Sequence, residues 1–223
     1  MTRLCRLAPL SLLLLFCAGT ALAAGPPVPG GDEGFVPMFS GESFDGWKKV
    51  GGEATYRFED GVIIGEVGPG PNTFLRTEKE YGDFIFKVDL KLEVPGNSGI
   101  QFRSHQKPDS DKNPGRVFGY QMEVDPSDRK WSGGIYDESR RGWLYDLKNQ
   151  PEKQAAFKLD DWNEYVIEAK GNRIRTWVNG VPVADLTDDA DASGFIALQV
   201  HSGKAGKILW KNVRIKELGT DQK

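Results

Sequence analysis

Phe84-Ile85-Phe86-Lys87-Val88-Asp89-Leu90-Lys91-Leu92-Glu93 decides the fold class. Successive side chains of a strand point to opposite faces of its sheet. This stretch therefore puts Phe84, Phe86, Val88, Leu90 and Leu92 on one face, with Lys87, Asp89, Lys91 and Glu93 on the other. The pattern predicts a long strand with one face against a core.

Shorter segments of the same kind flank it. Tyr56 to Glu59 and Val62 to Gly65 are joined by Asp60-Gly61, and Arg173 to Val178 and Val181 to Asp185 by Asn179-Gly180. Both dipeptides supply the positive φ angles of a tight hairpin turn. Asn72 to Arg76, Asn97 to Arg103, Gly119 to Val124, Gly133 to Asp137, Asn163 to Lys170, Gly194 to His201 and Ile208 to Glu217 complete a series of short strands. Pro182 suits an edge position or a bulge, and Glu152 to Phe157 is the one stretch with helical character. Strands at short spacing over a chain too long for a seven-strand sandwich predict an all-β, two-sheet antiparallel jelly-roll sandwich.

The amino terminus has the pattern of an export signal. Arg3 and Arg6 precede the apolar run Leu10 to Ala18, and Ala21-Leu22-Ala23 offers small residues for cleavage. Residues 1–23 are expected to be a signal peptide, 24–34 a flexible linker, 35–218 one domain and 219–223 a polar tail. The apolar run is shorter than the ~20 residues of a membrane span, so no integral segment is expected after cleavage. Cys17 would suit a lipid anchor, but bulky Phe16 precedes it, and a secreted or periplasmic protein is the expectation. Both cysteines, Cys5 and Cys17, lie in this leader. The mature chain must then stand on its core without disulfides, and thiol chemistry is excluded. A formal net charge of −3, more acidic once Arg3 and Arg6 are lost, leaves no electrostatic footprint for nucleic acid.

Three strands carry polar residues in alternation. Gln101 and Arg103 share a face, as do Gln121 and Glu123, and Gln199 and His201, while Ile100, Phe102, Tyr120, Met122, Leu198 and Val200 take the other. In one sheet these polar residues would form a site. Glu123 could act as a general base tuned by burial. His201 could be base, acid or metal ligand, although a strand-end histidine is as often satisfied by a neighbour. Arg103 would either pair with a carboxylate or stabilise a developing oxyanion. Asp137 and Tyr136 follow the Gly133-Gly134 pair, which allows close approach of backbone to a ligand. Trp131 belongs to an aromatic cluster with Tyr136, Trp143 and Tyr145 that could stack on sugar rings or form a small core beneath a loop.

Gly34 to Gly41 leading to Asp45-Gly46-Trp47, Asn97 to Arg103, Gly119 to Val124, Gly133 to Tyr136, Asp161-Trp162-Asn163, Trp177 to Gly180 and Gly194 to His201 occur in an order that resembles the 3-keto-disaccharide hydrolase domain family. The resemblance implies a concanavalin-like jelly roll acting on oxidised (3-keto) glycosides or other carbohydrates. It implies removal of the C2 proton beside a C3 ketone, by Glu123 or His201, with Arg103 on the enolate. Asp137 and Tyr136 would protonate the leaving oxygen or hold hydroxyls, and Asn97, Gln101, Gln121, Gln199 and Trp131 would bind the sugar. A bound divalent metal, with Glu123 and His201 as ligands, would take over enolate stabilisation. Two other readings fit the same strands: a non-catalytic carbohydrate-binding module and a cell-surface interaction domain.

Overall fold

The computed structural model describes residues 26–108, 110–112 and 115–219. The leader expected at 1–23 lies outside the described residues, as does the tail after Gly219. The described chain folds as two antiparallel sheets packed face to face.

In chain order the elements are β1 Val36–Pro37, β2 Trp47–Gly51, β3 Thr55–Glu59, β4 Val62–Glu66, β5 Thr73–Thr77, β6 Phe84–Val94, β7 Ser98–Gln106, β8 Val117–Val124, β9 Ile135–Glu138, β10 Gly142–Tyr145, helix α1 Pro151–Gln154, β11 Asn163–Lys170, β12 Arg173–Val178, β13 Val181–Thr187, β14 Phe195–Val200 and β15 Lys207–Glu217. The first sheet runs β13-β12-β11-β6-β15-β4-β3, with β1 added beside β15; the second runs β10-β9-β8-β7-β14-β5-β2.

The alternation in β6 is obeyed to the end of the strand. Phe84, Phe86, Val88, Leu90 and Leu92 are buried in the core between the sheets, where they meet Ile100, Phe102, Tyr120, Met122, Leu198 and Val200 of the second sheet. At about 25 cal/mol per Å2 of apolar surface removed from water, this shared layer is the main favourable contribution to folding. The two hairpin turns form as their dipeptides require, with positive φ at Asp60, Gly61, Asn179 and Gly180. Pro182 lies in β13, the edge strand, beside an irregularity in its pairing with β12.

The linker expectation needs correction. Residues from Pro26 onward lie across the outer face of the first sheet instead of hanging free. The indole Nε1 of Trp177 donates to the Pro26 carbonyl at 3.0 Å, and Lys87 Nζ donates to the Gly30 carbonyl at 3.1 Å. Val28 and Phe35 pack on Ile85, Val166 and Trp177. These three apolar side chains point away from the main core, so that face needs a cover, and the amino-terminal segment supplies it.

A chain beginning at Phe35 is expected to unfold several degrees lower than the longer chain, with a red shift in tryptophan emission as Trp177 meets water. Thermal denaturation followed by fluorescence checks this; unchanged melting and emission would mean that the segment covers nothing of consequence.

Candidate functional site

The core-facing side of the second sheet is apolar, so its other side is free to carry polar residues without loss of packing. One cross-strand row runs Val50, Phe74, Gln199, Gly99, Glu123 over β2, β5, β14, β7 and β8. The next row runs Lys48, Arg76, Ala197, Gln101, Gln121, Tyr136, and Trp143 of β10 adjoins Tyr136. The three polar segments read from the sequence are therefore neighbours in space. Gln101, Gln121, Glu123 and Gln199 share one face, as their parity predicts.

They are also bonded to one another. Asn97 Nδ2 donates to Glu123 Oε1 at 2.6 Å, and Gln121 Nε2 donates to Glu123 Oε2 at 2.8 Å. Gln121 Oε1 in turn accepts from Gln101 Nε2 at 2.6 Å and from Gln199 Nε2 at 3.0 Å. The Ser104 hydroxyl donates to Gln101 Oε1 at 2.7 Å. An ionised carboxylate can only accept, so Glu123 sets the direction of the whole string. Gly99 makes room for it, because a Cβ there would stand 2.4 Å from the Gln121 amide carbon. At the end of the string Gln199 Oε1 is buried without a partner among the described residues. An orphaned buried carbonyl costs roughly 1–3 kcal/mol.

Burial pushes the Glu123 carboxyl above its ordinary value, and the nearby Asp125 charge adds to this; the amide donors of Asn97 and Gln121, together with Arg129, pull the other way. Arg129 Nη2 lies 3.8 Å from Glu123 Oε1, its Nε donates to Asp125 at 2.7 Å, and its side chain keeps 42% of its exposure. The guanidinium stacks over Trp131 at 4.9 Å and Trp143 at 5.0 Å. Trp143 meets Trp131 and Tyr136 edge to face. Burial, followed by the charges of Glu138 and Glu123, raises the Tyr136 phenol, so it stays protonated and able to donate at neutral pH.

His201 follows Val200, the last residue of β14, which pairs with Ser98. It stands just beyond the strand end, past the Val200–Ser98 pair. Its Nδ1 lies 2.7 Å from the Ser202 carbonyl. A carbonyl only accepts, so Nδ1 carries the hydrogen, and Nε2 of the neutral ring holds the free lone pair.

Two residues expected in the site lie elsewhere. Arg103 has a φ of 45°, and the pairing of β7 with β8 slips between Phe102 and His105. This bulge turns Arg103 off the polar face. Its Nε donates to the Gly82 carbonyl at 2.8 Å, Nη1 to the Gly171 carbonyl at 2.8 Å and Nη2 to Asp83 at 2.8 Å. Asp137 pairs with Tyr120, so it shares the core-facing side, where Arg140 donates to it at 2.9 Å and Arg141 closes the pair. Its neighbour Tyr136 takes the polar side instead. His105 also falls on the far side, 3.2 Å from Asp191.

The sequence pattern missed Arg129 as a charge beside Glu123. It sits in the connection after β8, where no strand period indicates direction. Among the described residues no three His, Cys, Asp or Glu side chains come together to hold a metal ion. Both Glu123 oxygens already accept amide hydrogens. No step in the reaction is routed through a metal ion.

A groove of about 810 Å3 opens on the same side of the sheet, beside the string, whose residues do not line it. Val50, Pro71, Phe74 and Val117 line it, with Asn72, Gln106, Arg116, Glu138 and Ser202. Among the described residues no helix is long and apolar enough to cross a membrane.

A two-sheet sandwich of this kind hosts many unrelated functions, so the fold alone does not decide what the site does. The chain belongs to the 3-keto-alpha-glucoside-1,2-lyase-like domain family, whose model matches residues 34–216. The fold is shared with a candidate glycosyl hydrolase from Parabacteroides distasonis ATCC 8503, at 23% identity over 84% of this chain and 95% of that one, with a TM-score of 0.60. It is shared too with the carbohydrate-binding module CBM66 from Bacillus subtilis, at 16% identity, 81% and 100% coverage and a TM-score of 0.54. A galectin-like protein of unknown function from Bacillus subtilis is similar at 13% identity, 78% and 90% coverage and a TM-score of 0.60. No relative of curated function matches the chain. Membership of this family ties the protein to carbohydrates.

Two outcomes test this placement. Arg103→Met should cost about 2–4 kcal/mol in urea unfolding, since it strips Asp83 of its partner and two carbonyls of their donor; unchanged stability would return Arg103 to a role at the groove. The raised Glu123 carboxyl also predicts a pH effect. Its protonated form is favoured by folding, so its contribution is fully present below the ordinary carboxyl value. That contribution is lost as pH rises through the raised one. Glu123→Gln should therefore remove a stability loss on going from pH 4 to pH 7, seen in the difference between the two melting curves.

Proposed function

We propose that the protein cleaves 3-keto-glycosides by elimination across C1 and C2, with Glu123 as the base. The ketone at C3 acidifies the C2 hydrogen. Glu123 takes that proton, and the C–H electron pair passes into an enolate on the C3 oxygen. When the enolate returns to the ketone, a C1=C2 double bond forms and the C1–O bond breaks. The leaving oxygen departs with the electron pair and accepts a proton. Addition of water across C1=C2 completes a net hydrolysis. This route needs one good base and an enolate partner, not the pair of carboxylates of an ordinary glycosidase.

The observation that carries the reading is the Glu123 carboxyl, buried in the polar string on the outer side of the second sheet beside Arg129, with its proton affinity raised. A base whose pKa is drawn toward the working pH is stronger while still ionised. Arg129 takes the part expected of Arg103, since it is a cation beside Glu123 that keeps an exposed end. The Tyr136 phenol would protonate the leaving oxygen, and His201 Nε2 would serve as a second proton carrier. Trp131 and Trp143 would stack on the ring. The leader expected at 1–23 would place this chemistry outside the cytoplasm.

The purified chain is expected to convert a 3-keto-glucoside, with exchange of the C2 hydrogen for solvent deuterium. Glu123→Gln should lower kcat by about 10^2–10^4 while substrate affinity stays. kcat/KM should rise with pH through an apparent carboxyl pKa above the ordinary 4.5. Full turnover by Glu123→Gln would remove Glu123 as the base. Binding without turnover by the unaltered chain would make the domain a carbohydrate-binding module.

A further inference from the structure

The groove occupies a part of the second sheet that the Glu123 centre does not use. In the row Phe74, Gln199, Gly99, Glu123, its lining begins three strands from the carboxylate, ~14 Å away. Glu138, on another side of the groove, pairs with Gly119, which stands four residues, ~13 Å, before Glu123 in β8. The Gln121 side chain packs against Gly99 in the intervening space. A ligand that fills the groove and one that meets Glu123 therefore touch different residues.

The lining combines hydrocarbon with unspent polar groups. Val50, Phe74 and Val117 supply the hydrocarbon and pack in one apolar cluster with Phe195 and Ala197. Asn72 Oδ1 accepts from the Ser202 amide at 2.9 Å, and Gln106 Nε2 donates to the Gly115 carbonyl at 2.9 Å. Among the described residues Asn72 Nδ2 and Gln106 Oε1 have no such partner, so an uncharged donor and an uncharged acceptor are left over. Arg116 Nε donates to the Ser139 hydroxyl at 2.8 Å, and that hydroxyl donates to Glu138 at 2.9 Å. The lining thus carries one cation and one carboxylate, tied through Ser139, and no net charge. An ion gains little attraction from such a balanced pair, and a wholly apolar ligand would strand the amide groups without partners. A neutral sugar ring satisfies both parts, with C–H groups on its faces and hydroxyls that donate and accept around its edge. Sites of roughly 300–1,000 Å3 enclose a small ligand, and this groove holds about 810 Å3.

We infer that the groove is a saccharide-binding site separate from the Glu123 centre, taking a neutral sugar ring with its C–H face on Val50, Phe74 and Val117 and its hydroxyls on Asn72 and Gln106. The site needs neither a ketone nor turnover, so it does not rest on the elimination reading. It keeps the protein on unoxidised sugar whether or not the Glu123 centre is occupied.

The test follows amide signals by NMR as methyl glucoside or methyl galactoside is added to the chain, with methyl glucuronide as the charged match; none bears a ketone. At least one neutral glycoside should shift the side-chain amides of Asn72 and Gln106 and the backbone amides of Val117 and Ser202, and bind more tightly than the glucuronide. Gln106→Ala removes the free acceptor, and Val50→Lys puts a long cationic chain at the hydrocarbon floor. Each should weaken that binding about fivefold or more; the second substitution, at a half-buried position of an edge strand, keeps the test alive if the first disturbs the hairpin at Gly115. Glu123→Gln, distant from the groove, should leave the affinity within about twofold. No shift at the groove amides with either neutral glycoside, or binding untouched by both groove substitutions, overturns the site. Tighter binding of the glucuronide overturns the neutral-sugar assignment. Shifts that gather on the string and vanish in Glu123→Gln would mean a single site at the carboxylate, and overturn the separation.

Discussion

Everything in the second sheet depends on one packing constraint. Ile100, Phe102, Tyr120, Met122, Leu198 and Val200 are committed to the layer that meets Phe84, Phe86, Val88, Leu90 and Leu92 of β6. A slip of one residue in β7, β8 or β14 would turn amides and a carboxylate into that layer and apolar residues out of it. The cost of burying Glu123 or the glutamines against hydrocarbon holds the register. The polar face is thus kept in place by the apolar one behind it.

On that face a single ionisable group orders its neighbours. Glu123 accepts from Asn97 and Gln121, and Gln121, having donated outward, accepts from Gln101 and Gln199. Charge at one end of the string determines which end of each amide is spent and which is left to meet a ligand. The unpartnered oxygen of Gln199 is the product of that order. The same low-polarity surroundings that raise the Glu123 carboxyl also strengthen the bonds that orient it.

Arg103 shows how a local break in the backbone redistributes function. One bulge, with its φ of 45°, takes a guanidinium from the groove and makes it a tie between the loops at Gly82, Asp83 and Gly171. The cation near Glu123 is Arg129, anchored by Asp125 and the two indoles. Asp137 is likewise a structural anion between Arg140 and Arg141. The polar string keeps one carboxylate, Glu123, near the aromatic corner of Trp131 and Trp143.

The amino-acid sequence by itself determined the two-sheet fold, the hairpin turns at Asp60-Gly61 and Asn179-Gly180, and the shared face of Gln101, Gln121, Glu123 and Gln199. These follow from period-two alternation and from the φ preferences of Asn, Asp and Gly, which act over a few residues. Only the tertiary structure decided which strands are neighbours, where the alternation fails, and what covers each face. The bulge at Arg103 arises where β7 must meet both β8 and β14. The position of Arg129 depends on a connection that folds back over its own strand. The cover from Pro26 to Phe35 answers an apolar patch around Trp177 assembled from three strands. Each of these results from contacts between residues distant in the chain, and such contacts leave no periodic trace in the sequence.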